Sequence, residues 1–176
     1  MHNITGHRHD EQSGSDPLEP EVLEHGRRVY KIDNTPADAL VIHCADPRFQ
    51  TAFRRFVVEE LELRNYVPLV IGGSAHGLGS RMFFPKNFKV IWEQIKFYTK
   101  QFQIRQVIII NHEDCRWYRA MTMVHHEAKA REKGRLDLIT AAKTLVEDFA
   151  GIRVRSFWAE LDGDTIRFSE VTAPRK

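Results

Sequence analysis

Two short stretches hold the residue types that chemistry most often needs. One is His112-Glu113-Asp114-Cys115, following Val107-Ile108-Ile109-Ile110-Asn111; the other is Cys44-Ala45-Asp46-Pro47-Arg48, following Ala39-Leu40-Val41-Ile42-His43. Each follows an apolar run that reads as a strand buried on both faces. An imidazole and a thiol three positions apart in a tight turn suit a zinc ion, and the second thiol, on the other stretch, supplies a third ligand. Three protein ligands leave a fourth position open. That is the arrangement of a catalytic zinc, where the pKa of a bound water falls to about 7. Cys115, expected at the start of a helix, gains further from a dipole that favours the thiolate. The carboxylate of Asp46 competes for the fourth position, and Arg48 can fork onto that carboxylate. Held by Arg48, Asp46 stays off the metal and can accept a proton from water there; released, it caps the metal and shuts the site.

Plainer readings of the same residues stand beside this one. Cys44 and Cys115 are small hydrophobes at strand ends, or a disulfide if the compartment is oxidising. A dithiol redox pair is a third reading, although neither lies in a C-x-x-C motif. Asp46 and Arg48 form a simple surface ion pair in the plain reading. The convergence of both stretches on one sheet edge favours the metal.

That convergence depends on the elements around the two stretches. The chain has 176 residues, enough for one domain with a full core. With 42% hydrophobic and 28% charged residues it has an ordinary globular composition. Its 26 Lys+Arg against 24 Asp+Glu leave a net charge of +2, and no basic stripe interleaves with aromatics, so nothing favours nucleic acid. No apolar run approaches the roughly 20 residues that cross a membrane. Met1 to Pro20 is polar with no signal-like core, so a cytoplasmic protein is expected. Residues 1–34 read as a polar tail or short arm, with a short helix over Pro20 to Arg28 and with His2, His7 and His9 solvated. Residues 35–172 read as one α/β zinc-binding domain.

Within that domain, strands are expected over Ala39 to Cys44, Val67 to Ile71, Gln106 to Ile110, Ile152 to Trp158 and Thr165 to Val171, the last two joined by a turn at Asp162-Gly163-Asp164. Helices are expected over Phe49 to Leu63, Phe88 to Phe102, Trp117 to Lys133 and Leu136 to Phe149, with Gly134 separating the last two. This alternation gives a three-layer α/β domain with a mostly parallel central sheet, order 2-1-3-4, and an antiparallel edge strand. Ligands gather beyond the carboxyl ends of such strands where the order reverses, which is where both cysteine-bearing turns fall. The segment Gly72 to Gly79 matches neither glycine-rich phosphate motif and reads as a loop where backbone approaches another group closely. In it, His76 is either a hydrogen-bonded loop histidine or a proton shuttle facing the pocket. His125-His126 read as surface or interface residues. Phe49 and Phe53 serve equally as core and as the wall of an apolar pocket.

Cys44-Ala45-Asp46-Pro47-Arg48 with His112-Glu113-Asp114-Cys115 resembles the C-x-D-x-R and H-x-x-C pair of the β-class carbonic anhydrases. The resemblance runs loosely from Asp38 to Val171, including Phe157 to Gly163. It implies that family's α/β fold, Zn²⁺ on Cys44, His112 and Cys115, a catalytic Asp46–Arg48 dyad, a pocket involving Phe49, Gly73 and His76, a homodimer or higher oligomer, and hydration of CO₂ to bicarbonate by a metal-bound hydroxide. Alternatives from the same apparatus are a non-catalytic, bicarbonate-sensing zinc protein and a hydrolase of carbonyl sulfide or carbon disulfide. The chain departs from the family pattern at Asn111, where glycine is usual, at Arg116-Trp117 in place of Gly-Ala, at Pro47 in place of serine, and at Gly73 to His76, which lack the family's arginine. These departures bear on the pocket and leave the metal ligands in place.

Overall fold

The computed structural model describes residues 22–24, 27–30, 32–82, 84–121 and 127–172. The chain divides into two compact units, Met1–Asn34 and Thr35–Lys176. In the first, β1 (Val22–Glu24) pairs antiparallel with β2 (Arg27–Val29), matching Glu24 to Arg27. A short helix was the expectation over this stretch, and the structure corrects it. Two residues, His25-Gly26, separate the paired ends, and an X-Gly pair between short segments that each carry a valine is a hairpin signal that outweighs the helical one. His2, His7, His9, His125 and His126 lie outside the described residues.

The second unit is built on a five-stranded sheet. Its strands are β3 (Ala39–His43), β4 (Tyr66–Val70), β5 (Gln106–His112), β6 (Arg153–Asp162) and β7 (Thr165–Glu170), in the order β4-β3-β5-β6-β7. All pairs are parallel except β6 with β7. Counted within the sheet the order is 2-1-3-4-5 with an antiparallel edge, as the alternation of elements implied. Gly163 turns the last hairpin at φ 59°. Pro68, which cannot donate to a ladder, sits on the edge strand β4.

Strand alternation sorts side chains into two cores. Val41, Ile108 and Ile110 face Phe49, Phe53 and Val57, carried by or next to α1 (Gln50–Arg55) and the π-helical turn Phe56–Glu60 that prolongs it. Leu40, Ile42, Val107 and Ile109 face the other way, onto Leu78 of α2 (His76–Gly79), Phe88, Trp92 and Ile95 of α3 (Pro85–Gln101) and Leu138, Ala141 and Leu145 of α5 (Glu127–Asp148). Each such fully buried aliphatic side chain contributes about 1.5–3 kcal/mol. The three-layer reading therefore holds in its physical cause as well as its outline.

Helix boundaries differ from expectation after the second cysteine. The expected helices, Trp117 to Lys133 and Leu136 to Phe149, are instead α4 (Arg116–Met121) and the 22-residue α5. Gly134 lies inside α5 rather than between helices. A Cβ there would stand 3.1 Å from the Trp158 ring, so the glycine's helical cost of about 1 kcal/mol is offset by a close helix–sheet approach. Strand β5 also runs on through Asn111 and His112, because both continue its parallel pairing to Trp158 and Ala159. Among the described residues no helix is long and apolar enough to cross a membrane.

Candidate metal centre

The chain passes from β3 to β4 on one side of the sheet and returns to β5 on the other, so the carboxyl ends of β3 and β5 are neighbours at the point where the order reverses. His43 pairs with Ile110 in that register. Cys44 is the next residue after β3, His112 is the last of β5, and Cys115 immediately precedes α4. Their ligand atoms all lie within 4.8 Å of one another, and all three residues are buried. The two sulfurs are 3.7 Å apart.

Each ligand-type atom is oriented by its neighbours. His112 Nδ1 donates to the carbonyl of Glu113 at 2.7 Å, which fixes the tautomer and leaves a lone pair on Nε2. Nε2 is buried and has no hydrogen-bond partner among the described residues. Phe49, fully buried, lies against the imidazole with ring centroids 4.0 Å apart. The amide of Gly73 donates to Cys44 Sγ at 3.4 Å. The amides of Tyr118 and Trp117 serve Cys115 in the same way.

The thiols share a proton. The Cys115 hydrogen bond draws the Cys44 pKa below the ordinary thiol value, against burial, with His112 adding to the pull. The same pairing with Cys44, together with burial, raises Cys115. Two sulfurs in contact and an imidazole whose buried Nε2 has no partner make a donor set that fits zinc. The remaining thiol proton would leave on binding.

Asp46 lies outside this ligand group, held by Arg48. Arg48 Nε donates to Asp46 Oδ1 at 3.1 Å and its terminal nitrogen to Oδ2 at 2.8 Å, and the Arg48 amide also reaches Oδ1 at 3.1 Å. The Arg48 hydrogen bonds hold the Asp46 carboxyl below the usual carboxylate range, so it is ionised at neutral pH. The turn itself is tied by Gln50, whose Nε2 donates to the carbonyls of Cys44 at 2.9 Å and Asp46 at 2.7 Å. His43, buried under Phe53, bonds the Cys44 carbonyl at 3.0 Å, and burial lowers its pKa.

The glycine loop passes beside Cys44, and a large side chain packs against it. A Cβ at Gly72 or Gly73 would stand 2.4 or 2.3 Å from the Trp117 ring, so the indole occupies room that only glycine leaves. Asn111, on the strand face opposite His112, staples the loop from beneath. Its Oδ1 accepts from the Ala75 amide at 3.1 Å, and its Nδ2 donates to Gly134 O at 2.8 Å and Tyr118 OH at 3.1 Å. His76 is buried at the start of the short helix that ends the loop. Its Nδ1 meets Asp137 Oδ2 at 3.2 Å, and its ring lies against Tyr118 and Phe84. Lys133 pairs with the same buried aspartate.

Reasoning from sequence missed Asp137 and the roles of Gln50, Asn111 and Asp114. Gln50, four residues after Asp46, and Asp114, beside Cys115, lay within the motifs and offered a positional signal. Asp137 sits on a distant helix and gave none.

By sequence, no family model and no curated protein matches the chain. By fold, it is similar to the β-carbonic anhydrase isoform I of the protozoan Trichomonas vaginalis, with TM-score 0.51 and 10% identity over 80% of this chain and 87% of that one. It is also similar to a structure from a study of two tetrameric β-carbonic anhydrases of the filamentous ascomycete Sordaria macrospora, with TM-score 0.53 and 11% identity over 78% of this chain and 82% of that one. The α/β fold is thus the one that β-carbonic anhydrases have.

Proposed function

We propose that the chain is a zinc enzyme of carbonic-anhydrase type that reversibly hydrates CO₂ to bicarbonate. The observation that carries this reading is the meeting of Cys44, His112 and Cys115 at one sheet edge, beside an Asp46 carboxylate gripped by Arg48. The fold shared with β-carbonic anhydrases supports it. When bound, zinc supplies Lewis acidity and makes a nucleophile of water at neutral pH. Cys44 Sγ, Cys115 Sγ and His112 Nε2 would hold the metal. Asp46 is the proton-accepting, orienting carboxylate, with Arg48 setting its direction. Phe49 keeps water from the His112 ring, and Gly73 orients the Cys44 sulfur. His76 acts through Asp137 at the margin of the pocket rather than on the metal. We extend the proposal to a cytoplasmic homodimer or higher oligomer; the Sordaria proteins are described as tetrameric.

One observation favours a second reading, a zinc protein that senses bicarbonate or acts on another small electrophile such as carbonyl sulfide or carbon disulfide. The Trp117 indole packs onto Gly72 and Gly73, beside the loop that serves Cys44. Metal analysis followed by stopped-flow CO₂ hydration on the same sample separates the two. One zinc per chain with hydration that Asp46→Asn abolishes at unchanged zinc content is the expected result. Zinc without hydration selects the second reading. Full zinc occupancy in Cys115→Ser would refute the ligand set.

A further inference from the structure

Arg48 has a second carboxylate partner. One terminal nitrogen donates to Asp114 Oδ2 at 2.8 Å, and the other, already on Asp46, reaches the Asp114 carbonyl at 3.0 Å. The remaining carboxylate oxygen of Asp114 takes Arg119 of α4 at 3.1 Å. Asp114 adopts φ 51°, a left-handed conformation that non-glycine residues rarely take and that asparagine and aspartate tolerate better than most. With that backbone, its carbonyl and carboxylate both bond one guanidinium. The Arg48 side chain is 37% exposed, so without this second anchor it is a long cation at the surface, placed by Asp46 and by the Phe49 ring 5.6 Å beneath its guanidinium.

We propose that Asp114 is a positioning residue, a latch that keeps Arg48 forked on Asp46 and thereby keeps Asp46 off the metal. This rests on the zinc reading above and adds a control to it. The turn that presents Cys115 also clamps the turn that presents Cys44, so the two halves of the site are coupled through one guanidinium. Loss of the Asp114 carboxylate releases one side of Arg48, and Asp46 becomes free to occupy the fourth position. Arg119, bound to the other oxygen, steadies Asp114 but does not touch Asp46.

The test uses the full chain loaded with Co²⁺, whose visible spectrum reports coordination, and thiocyanate as a probe of the fourth position. The unaltered protein should show a thiocyanate-dependent spectral change. In Asp114→Asn the change should vanish or need at least tenfold more thiocyanate, because Asp46 caps the metal. In the double variant Asp114→Asn/Asp46→Asn the response should return, which a merely structural role of Asp114 would not produce. Arg119→Gln should respond as the unaltered chain does. Asp114→Ser serves the same comparison if the asparagine variant does not fold. An unchanged response in Asp114→Asn overturns the latch and leaves the metal site standing, as does a double variant that stays silent. An unaltered protein that takes up no Co²⁺ overturns the metal reading itself, and the latch with it.

Discussion

Replacing Asn111 by alanine tests whether the loop beside Cys44 is held from the opposite face of the sheet. The side chain makes three hydrogen bonds, from Ala75 N and to Gly134 O and Tyr118 OH, and is 1% exposed. Truncation strands the amide of Ala75, itself fully buried, at about 1–3 kcal/mol. The other two losses are milder. Gly134 O keeps its place within a helix, and the Tyr118 hydroxyl retains Asp137 as a partner. At about 0.5–1 kcal/mol each they bring the expected loss to about 2–5 kcal/mol, a large share of a domain's 5–15 kcal/mol. Urea unfolding of the metal-free protein should show a lower midpoint at unchanged slope. Because Ala75 follows directly on the loop whose Gly73 amide serves Cys44 Sγ, metal affinity should also fall, by about tenfold, in competition with a chromophoric chelator. A stability loss below about 1 kcal/mol with unchanged metal affinity would refute the staple.

Two further outcomes are expected. Gly72→Ala should destabilise by about 1–3 kcal/mol through overlap with the indole, and Trp117→Ala in the same chain should remove that cost; simple additivity within about 0.5 kcal/mol would show that the indole is not what the glycine accommodates. Thiolate absorbance of the metal-free protein should give one thiolate per chain at neutral pH, because pairing with Cys115 lowers Cys44 while the same pairing raises Cys115. The signal should fade only as pH falls well below the usual thiol range and should double on zinc addition. No thiolate at neutral pH would mean that the sulfurs do not share a proton.

What the sequence determined by itself is what lies in local pattern. The apolar runs at Ala39–His43 and Gln106–Ile110 read as strands of a covered parallel sheet, joined by helical crossovers. If the second strand lies on the far side of the first, the two turns bearing Cys44, Asp46, Arg48, His112 and Cys115 meet, and the fold takes that order. Local pattern misled where it was short or interrupted. Val22 to Val29 carries enough polar residues to pass for a helical turn, yet pairs as a hairpin, and Gly134 reads as a break because its use depends on Trp158 on a later strand. What only the tertiary structure decided is how groups far apart in the chain are satisfied. Asn111 reads as an odd residue beside a histidine until Ala75, Tyr118 and Gly134 are brought to it. His76 reads as a loop histidine that needs a hydrogen-bond partner, and only the fold brings that partner, Asp137, from the far helix. Asp114 reads as a spacer until a left-handed φ joins it to Arg48. A periodicity records which face a side chain occupies, whereas a buried hydrogen bond depends on where its partner stands, and only the folded chain supplies that.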